Sequence, residues 1–324
     1  MLISVVIRTL NEARYLDELL SSVRRQEIPD EWDVQVVIVD SGSVDETLSI
    51  ARRYDCTVTQ IDKSEFTFGR SLNRGCDFAD GEMLVFVSGH CVPVGTQWLS
   101  SLVLPIANNE VDYVYGRQIG RDTTKFSESR VFEKYYPARS LVPQEGYFAN
   151  NANAALRRTT FEEFRFNESL TGLEDMDLAK RLSESGRLIG YVASAEIFHI
   201  HDETWLDVRN RYEREAVALF AIAPESQFRL TNFLSSLVRS VGKDCYWAAR
   251  RRTLFAESIS IVLFRYNQFL GSYWGLRLAQ SVARSQSKNY FYPDRIYTQK
   301  QQEPDGKEPD CTVTHESSQQ SGAR

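Results

Sequence analysis

The first 120 residues of this chain predict an α/β protein built on a doubly wound, mostly parallel sheet. Short β-rich runs alternate there with amphipathic helical patterns, a rhythm that places helices on both faces of a sheet. The turns after the first two strands, Arg8-Thr9-Leu10-Asn11-Glu12 and Asp40-Ser41-Gly42-Ser43-Val44-Asp45, are rich in polar side chains. Sheets of this kind bind ligands at the carboxyl ends of their strands. From Trp205 to about residue 285 the pattern is helical throughout, so a helical extension follows the sheet.

Residues 4–7, 34–39, 56–61, 83–87 and 113–115 read as strands, and 13–25, 45–54, 69–79 and 96–108 as the helices between them. In the first helix Leu16, Leu19, Leu20 and Val23 recur at helical spacing, with Asn11 placed to cap it. Ser43 and Glu46 read as a capping box for the second. Beyond Gly116 the alternation breaks. Residues 122–146 read as a loop with a short amphipathic helix, 153–156 and 188–192 as strands, and 174–184 as a helix. The extension reads as helices interrupted near Pro224 and Gly242, and residues 299–324, which lack Leu, Ile and aromatic side chains, have the composition of a disordered tail.

Composition narrows the function classes. With 324 residues, 42% hydrophobic and 25% charged, the chain has the mix of a soluble globular protein. A net charge of -6 argues against nucleic acid as a partner. Five scattered cysteines without a CxxC pair point to a reducing compartment. The start, Leu2-Ile3-Ser4-Val5-Val6-Ile7, is too short and lacks the basic residues of a leader, and no run of 18 apolar residues occurs, so a cytoplasmic protein is expected. Residues 205–288 depart from the average, with 13 Lys/Arg against 6 Asp/Glu. Basic, aromatic-rich helices suit an anionic membrane surface on the inner face of the plasma membrane, packing against the sheet domain, or an oligomer interface.

The turn after the first strand has no glycine. A dinucleotide-binding enzyme would carry GxGxxG there and a nucleotidyltransferase a glycine-rich basic loop, so both are excluded. The turn offers a hydroxyl and a carboxylate instead, suited to a ribose or base edge. Asp40 at the end of the second strand can accept hydrogen bonds from a base imide or ribose, or simply organise its turn.

Four segments in order, IRTLNE, VIVDSGSVDET, GRSLNRGCDFADGEMLVFVSGHCVP and GLEDMDLAKRL, resemble family 2 of the glycosyltransferases over residues 4–212. The resemblance implies the GT-A fold, with a nucleotide-binding half (1–120) and an acceptor half (121–204), and the helical pattern adds an extension (205–290). It implies transfer of a sugar from a nucleotide-diphospho-sugar donor to a hydroxyl of a saccharide, with inversion in a single displacement. Thr9, Asn11 and Glu12 match nucleoside contacts, Asp40 the base reader, and Asn73 with Gly75 the turn beneath the diphosphate; Arg70 is a looser match to a phosphate contact. Asp175 of the Glu174-Asp175 pair matches the general base, opening a helix whose N-terminal partial charge eases two adjacent carboxylates.

The sequence departs from that family at the D-x-D metal motif, where Ser88-Gly89-His90 stands. Losing both carboxylates weakens a site for Mn²⁺ or Mg²⁺ and opens a degenerate, non-catalytic binding subunit as the alternative. His90 replaces the second carboxylate, and His199 and His201 follow in an extended segment. His90 and His201 are the favoured metal ligands, with His199 behind them. The arginines at 209, 211 and 214 could neutralise a diphosphate, and Asn150, Asn151 and Asn153 could bind sugar hydroxyls. The SGH motif with FTFGRSLNRG is most similar to bacterial transferases of O-antigen, capsule or exopolysaccharide, including rhamnosyltransferase-like members, which implies a lipid-linked saccharide acceptor.

Overall fold

The computed structural model describes residues 1–225 and 228–282, with side chains described up to residue 279. In chain order it begins β1 (Leu2–Thr9), α1 (Ala13–Arg24), β2 (Asp33–Asp40), α2 (Thr47–Arg53), β3 (Thr57–Gln60), α3 (Phe68–Asp77) and β4 (Met83–Ser88). Next come β5 (Cys91–Pro93), α4 (Trp98–Ala107), β6 (Tyr113–Ile119), α5 (Phe126–Tyr135), β7 (Asn153–Arg157), α6 (Arg158–Phe164), α7 (Glu174–Glu184) and β8 (Ile189–His199). The eight strands form one sheet in the order β3-β2-β1-β4-β7-β6-β8-β5. β7 and β5 run against their neighbours, and the other six strands are parallel.

Alternation along the strands sorts the core into two layers. Ile3, Val5, Ile7, Met83, Val85 and Val87 share one with α1 and α4, whose Leu16, Leu19, Leu20, Trp98 and Leu102 cover them. Val6, Leu84 and Phe86 face the other layer, against Leu72 and Cys76 of α3 and Leu178 and Leu182 of α7. α3 lies directly on the sheet because Gly75 has no side chain. A Cβ there would stand 2.4 Å from Val6 Cγ1 and 2.7 Å from Val39 Cγ2. β1 leads to β2 on one side and borders β4 on the other, so the chain reverses direction across the sheet between β1 and β4, the place where sheets of this kind take their ligands.

Three helices complete the described chain: α8 (Trp205–Ile222), α9 (Leu230–Arg250) and α10 (Leu254–Val282). Gly271 and Gly275 of α10 let it lie against α8; a Cβ on them would meet the carbonyl oxygens of Arg209 at 2.3 Å and Glu213 at 2.2 Å. A buried polar cluster ties the hairpin of α9 and α10 to α5. Asp244 accepts from Ser127 Oγ and Arg265 Nε, both at 2.7 Å, while Arg265 also donates to the Ser127 carbonyl. The opposite side is bare. Leu230, Leu234 and Val238 share one face of α9, and Phe255, Ile259 and Val262 one face of α10, all exposed. No helix among the described residues is long and apolar enough to cross a membrane.

The structure corrects several expectations. Gly242 lies inside α9; the break falls at residues 251–253, where Arg252 takes a positive φ of 61°. Asn11 does not cap α1, whose N-cap is Glu12 without a side-chain bond, and α2 starts at Thr47 rather than on a Ser43 capping box. Both side chains instead tie the first two turns together. β5 and α6 carry too little periodicity to be read from sequence. The expected tail at 299–324 and the last eight residues of the extension as drawn, 283–290, lie outside the described residues.

Removing one partner of a buried ion pair leaves the other charge unpaired. Asp244→Ala is expected to lower unfolding free energy by about 3–5 kcal/mol in urea titrations; a loss below about 1 kcal/mol would contradict the anchoring role.

Candidate active site

The turns that follow β1 and β2 interlock. Asp40 is fully buried, and its carboxylate accepts from Thr9 Oγ1, Ser43 Oγ and the backbone N–H groups of Gly42 and Ser43. Four donors occupy the lone pairs of one carboxylate. Asp40 therefore organises its turn, and its side chain is not free to read a base. Gly42, at φ 90°, supplies the left-handed residue that lets both N–H groups face the carboxylate. Asn11, at φ 58°, receives Val44 N–H on its Oδ1 and donates its own N–H to Ser43 Oγ. Glu12 donates its N–H to Thr47 Oγ1 and points its carboxylate toward β4.

There it meets the replacement for D-x-D. Ser88 closes β4 beside Arg8 of β1. Gly89 is needed for the approach, since a Cβ would lie 2.8 Å from Glu12 Cγ and 3.0 Å from the Arg8 carbonyl. His90 then donates from Nδ1 to Glu12 Oε1 at 2.9 Å. His199, the last residue of β8, is buried, and its Nε2 lies 3.2 Å from that of His90. Its Nδ1 donates to Gln118 Oε1, and Gln118 donates in turn to Asn150 Oδ1. His201 donates from Nδ1 to Glu128 Oε1 at 2.7 Å. One nitrogen from each of the three imidazoles lies within 4.8 Å of the others. This donor set fits a divalent metal, and His199, placed last from sequence, is as central as the other two.

Burial, then the neighbouring imidazoles, hold His199 well below the usual histidine range. Burial and Arg211 lower His201 as well. Burial alone would raise Glu128, but its bond to His201 and the charges of His201, Arg211 and Lys125 bring it below the usual carboxylate value. Arg211 also pairs with Glu203.

The acidic pair opens α7. Leu173, in the left-handed region at φ 54°, turns the chain so that Glu174 and Asp175 enter the site buried. Gly172, one residue earlier, does not supply this turn. Arg8 Nη1 lies 3.2 Å from Glu174 Oε1. Asp175 accepts Asn151 N–H on one oxygen and Met176 N–H on the other. Burial, then the charge of Glu174, pushes Asp175 up to about 7. Arg8 and Arg214 each hold a guanidinium carbon 4.9 Å from the Phe68 ring centroid, which brings two cations beside the carboxylates. Arg214 Nε is buried with no hydrogen-bond partner among the described residues.

Other residues singled out from sequence sit differently. Asn73 lies within helix α3, not in a turn, and bonds the backbone of Phe166 and the carboxylate of Glu168. Arg70 pairs with the same Glu168. The two hold the 165–169 loop and do not reach the carboxylate pair. Asn153 is buried and receives the Trp98 indole N–H while donating to the Arg117 and Ala195 carbonyls around the bulge of β6. Asn150 and Asn151 face Gln118 and Asp175. All three orient other residues, which spacing alone could not reveal. Asp177 pairs with Arg181.

A doubly wound sheet with acidic and imidazole groups converging at its strand ends, and no phosphate-binding glycine loop, is the arrangement expected of the GT-A fold. The family profile of glycosyl transferase family 2 matches residues 4–165, and the chain belongs to that family. It is 26% identical over 225 residues to the O-antigen chain rhamnosyltransferase RfbN of Salmonella typhimurium, covering 65% of this chain and 70% of that protein. It is 28% identical over 189 residues to the O-antigen chain rhamnosyltransferase WbaN of Salmonella anatum, covering 55% of this chain and 60% of that one. Among solved structures, the mannosyltransferase PcManGT of Pyrobaculum calidifontis, determined with GDP-Man and Mn²⁺, superposes with a TM-score of 0.60 at 19% identity over 87% of each chain.

The raised pKa of Asp175 makes a stability prediction. Its contribution is full below about pH 4 and is lost as pH rises through the folded value. Asp175→Asn cannot ionise, so the variant should melt higher than the parent at about pH 8, with the gap closing toward about pH 4. Equal melting temperatures across that range would show that Asp175 is not held in a charge-disfavouring site.

Proposed function

We propose that this enzyme transfers a sugar from a nucleotide-diphospho-sugar to a hydroxyl of a saccharide acceptor with inversion, with Asp175 as the general base. The observation that carries this is the buried carboxylate of Asp175, lifted to about 7 and oriented by two backbone N–H groups. A base poised near working pH takes the acceptor hydroxyl proton as its oxygen attacks the anomeric carbon. The bond from that carbon to the diphosphate oxygen breaks on the opposite face, and its electron pair leaves with the nucleoside diphosphate. Glu174, held by Arg8, positions the pair, and Arg8 with Arg214 provides positive charge where anionic groups of the substrates meet it.

The donor occupies the crevice between β1 and β4, with Thr9, Asn11, Glu12 and Ser88 along its nucleoside and diphosphate. Asp40 and Asn73 shape that pocket from behind, and Arg70 steadies the loop beside it. His90 and His201, with His199 between them, would hold a divalent metal, which when bound would stabilise charge developing on the leaving diphosphate. The likeness to O-antigen rhamnosyltransferases supports a deoxyhexose or hexose donor and a lipid-linked saccharide of bacterial surface polysaccharide as acceptor. The non-catalytic alternative, prompted by the missing D-x-D carboxylates, has no observation in its favour.

A lipid-linked acceptor calls for a membrane surface, and the bare faces of α9 and α10 suit one. Exposed Leu234, Val238, Phe255 and Ile259 stand among exposed Arg239, Lys243, Arg250 and Arg252, the combination that seats a helix on an anionic leaflet at its cytoplasmic side.

Asp175→Asn is expected to lower kcat about 10²–10⁴-fold while leaving donor binding intact, and parent kcat should climb with pH to a plateau above about 7. Unchanged turnover would remove Asp175 from the chemistry. For the membrane face, Phe255→Ser with Ile259→Ser should abolish co-sedimentation with phosphatidylserine vesicles. Sedimentation that persists, or that occurs equally with neutral vesicles, would count against it.

A further inference from the structure

The three histidines are fixed in one tautomer by the oxygens around them. An ionised carboxylate can only accept a hydrogen bond. Glu12 and Glu128 therefore require the Nδ1 atoms of His90 and His201 to be donors. The Gln118 amide is oriented by its own donation to Asn150, which turns its oxygen to His199 Nδ1. In neutral imidazole the other nitrogen is then a bare acceptor. The Nε2 atoms of His90 and His199 face each other at 3.2 Å, and one nitrogen of each of the three rings lies within 4.8 Å of the others.

Two lone pairs in that position repel unless a cation lies between them. His199 is buried and flanked by the other two rings, and a metal ion bound to the three nitrogens answers that repulsion. Two nitrogens bound to one tetrahedral zinc at about 2.0–2.1 Å stand about 3.3–3.4 Å apart, close to the spacing seen. Each Nδ1 partner is the type that orients metal-bound histidines, an oxygen acceptor behind the ring. Behind these lie further supports, Asn150 on Gln118 and Arg211 on Glu128. The second carboxylate oxygen of Glu128 is buried and has no hydrogen-bond partner among the described residues.

We propose that His90, His199 and His201 together form a three-imidazole site for a borderline divalent transition metal of the zinc and cobalt class, and that the site discriminates against Mg²⁺. Nitrogen ligands favour such ions, whereas Mg²⁺ demands oxygen; the three-imidazole set offers nitrogen alone, and the carboxylates of Glu128 and Glu203 group with His201 only. Three protein ligands leave a fourth position open. An oxygen of the donor's diphosphate would fill that position, a role that rests on the glycosyltransferase reading; the metal site itself does not.

The test uses the full chain stripped with a chelator and titrated with Co²⁺ without nucleotide, followed by visible absorption. One equivalent should bring up the intense d–d bands of a low-coordinate nitrogen site, which Zn²⁺ removes and Mg²⁺ at equal concentration does not. His199→Gln and, on the more exposed ring, His90→Gln should each abolish the bands while circular dichroism reports the fold. Gln118→Leu should weaken Co²⁺ affinity about 10–100-fold as an orienting partner. Absent bands, displacement by Mg²⁺, or an unchanged titration in folded His199→Gln or His90→Gln would overturn the proposal. Calorimetry of UDP, GDP and dTDP on the metal-loaded protein separates the two readings, because bands without nucleotide binding would keep the metal site and discard the donor site.

Discussion

Glu128 is a buried carboxylate on which three parts of the molecule meet. It sits in the first turn of α5 and takes hydrogen bonds from His201, beyond the end of β8, and from Arg211 of α8. Ser127, its neighbour, is bound by Asp244 and Arg265 of the α9 and α10 hairpin. A buried charge needs compensating partners, and removing any of them leaves the rest uncompensated. The imidazole cluster, the first helix of the extension and the anchor of the hairpin therefore depend on one another, although they are far apart in sequence.

A second constraint acts across the crevice. Two adjacent carboxylates are buried at the start of α7, and burial disfavours charge on Asp175. Arg8 offsets one, and the N–H groups of Asn151 and Met176 orient the other. The result is asymmetric: Glu174 is held by a cation, and Asp175 keeps a raised carboxyl oriented by two N–H groups. The strained turn at Leu173 is what brings both into the site together. Strain of this kind persists where surrounding packing over-determines it, and here it falls beside the buried acidic pair.

The sheet was legible because its strands alternate and its helices are amphipathic. β1, β2, β4, α1 and α7 are where periodicity puts them to within about two residues. What failed were the polar turns. Asn11, Ser43 and Glu46 have the composition of caps, yet the Asp40 carboxylate competes for the same donors and recruits Ser43 into its own turn. The asparagines at 150, 151 and 153 resembled sugar-binding groups but bond other residues, because a bulge in β6 and a buried carboxylate in α7 needed hydrogen-bond partners. Gly242 failed for a simpler reason: a helix packed on its neighbours tolerates one glycine.

Sequence by itself determined the fold class, the helical extension, the family and the acidic pair. These depend on local periodicity, on glycines absent or present at fixed positions, and on short motifs read within one turn. Only the tertiary structure decided how the histidines act. Their tautomers are set by Glu12, Gln118 and Glu128, which lie 78, 81 and 73 positions from their partners in the chain. Hydrogen-bond direction is a property of paired atoms in space. No pattern along a single chain encodes which nitrogen of a ring is left bare.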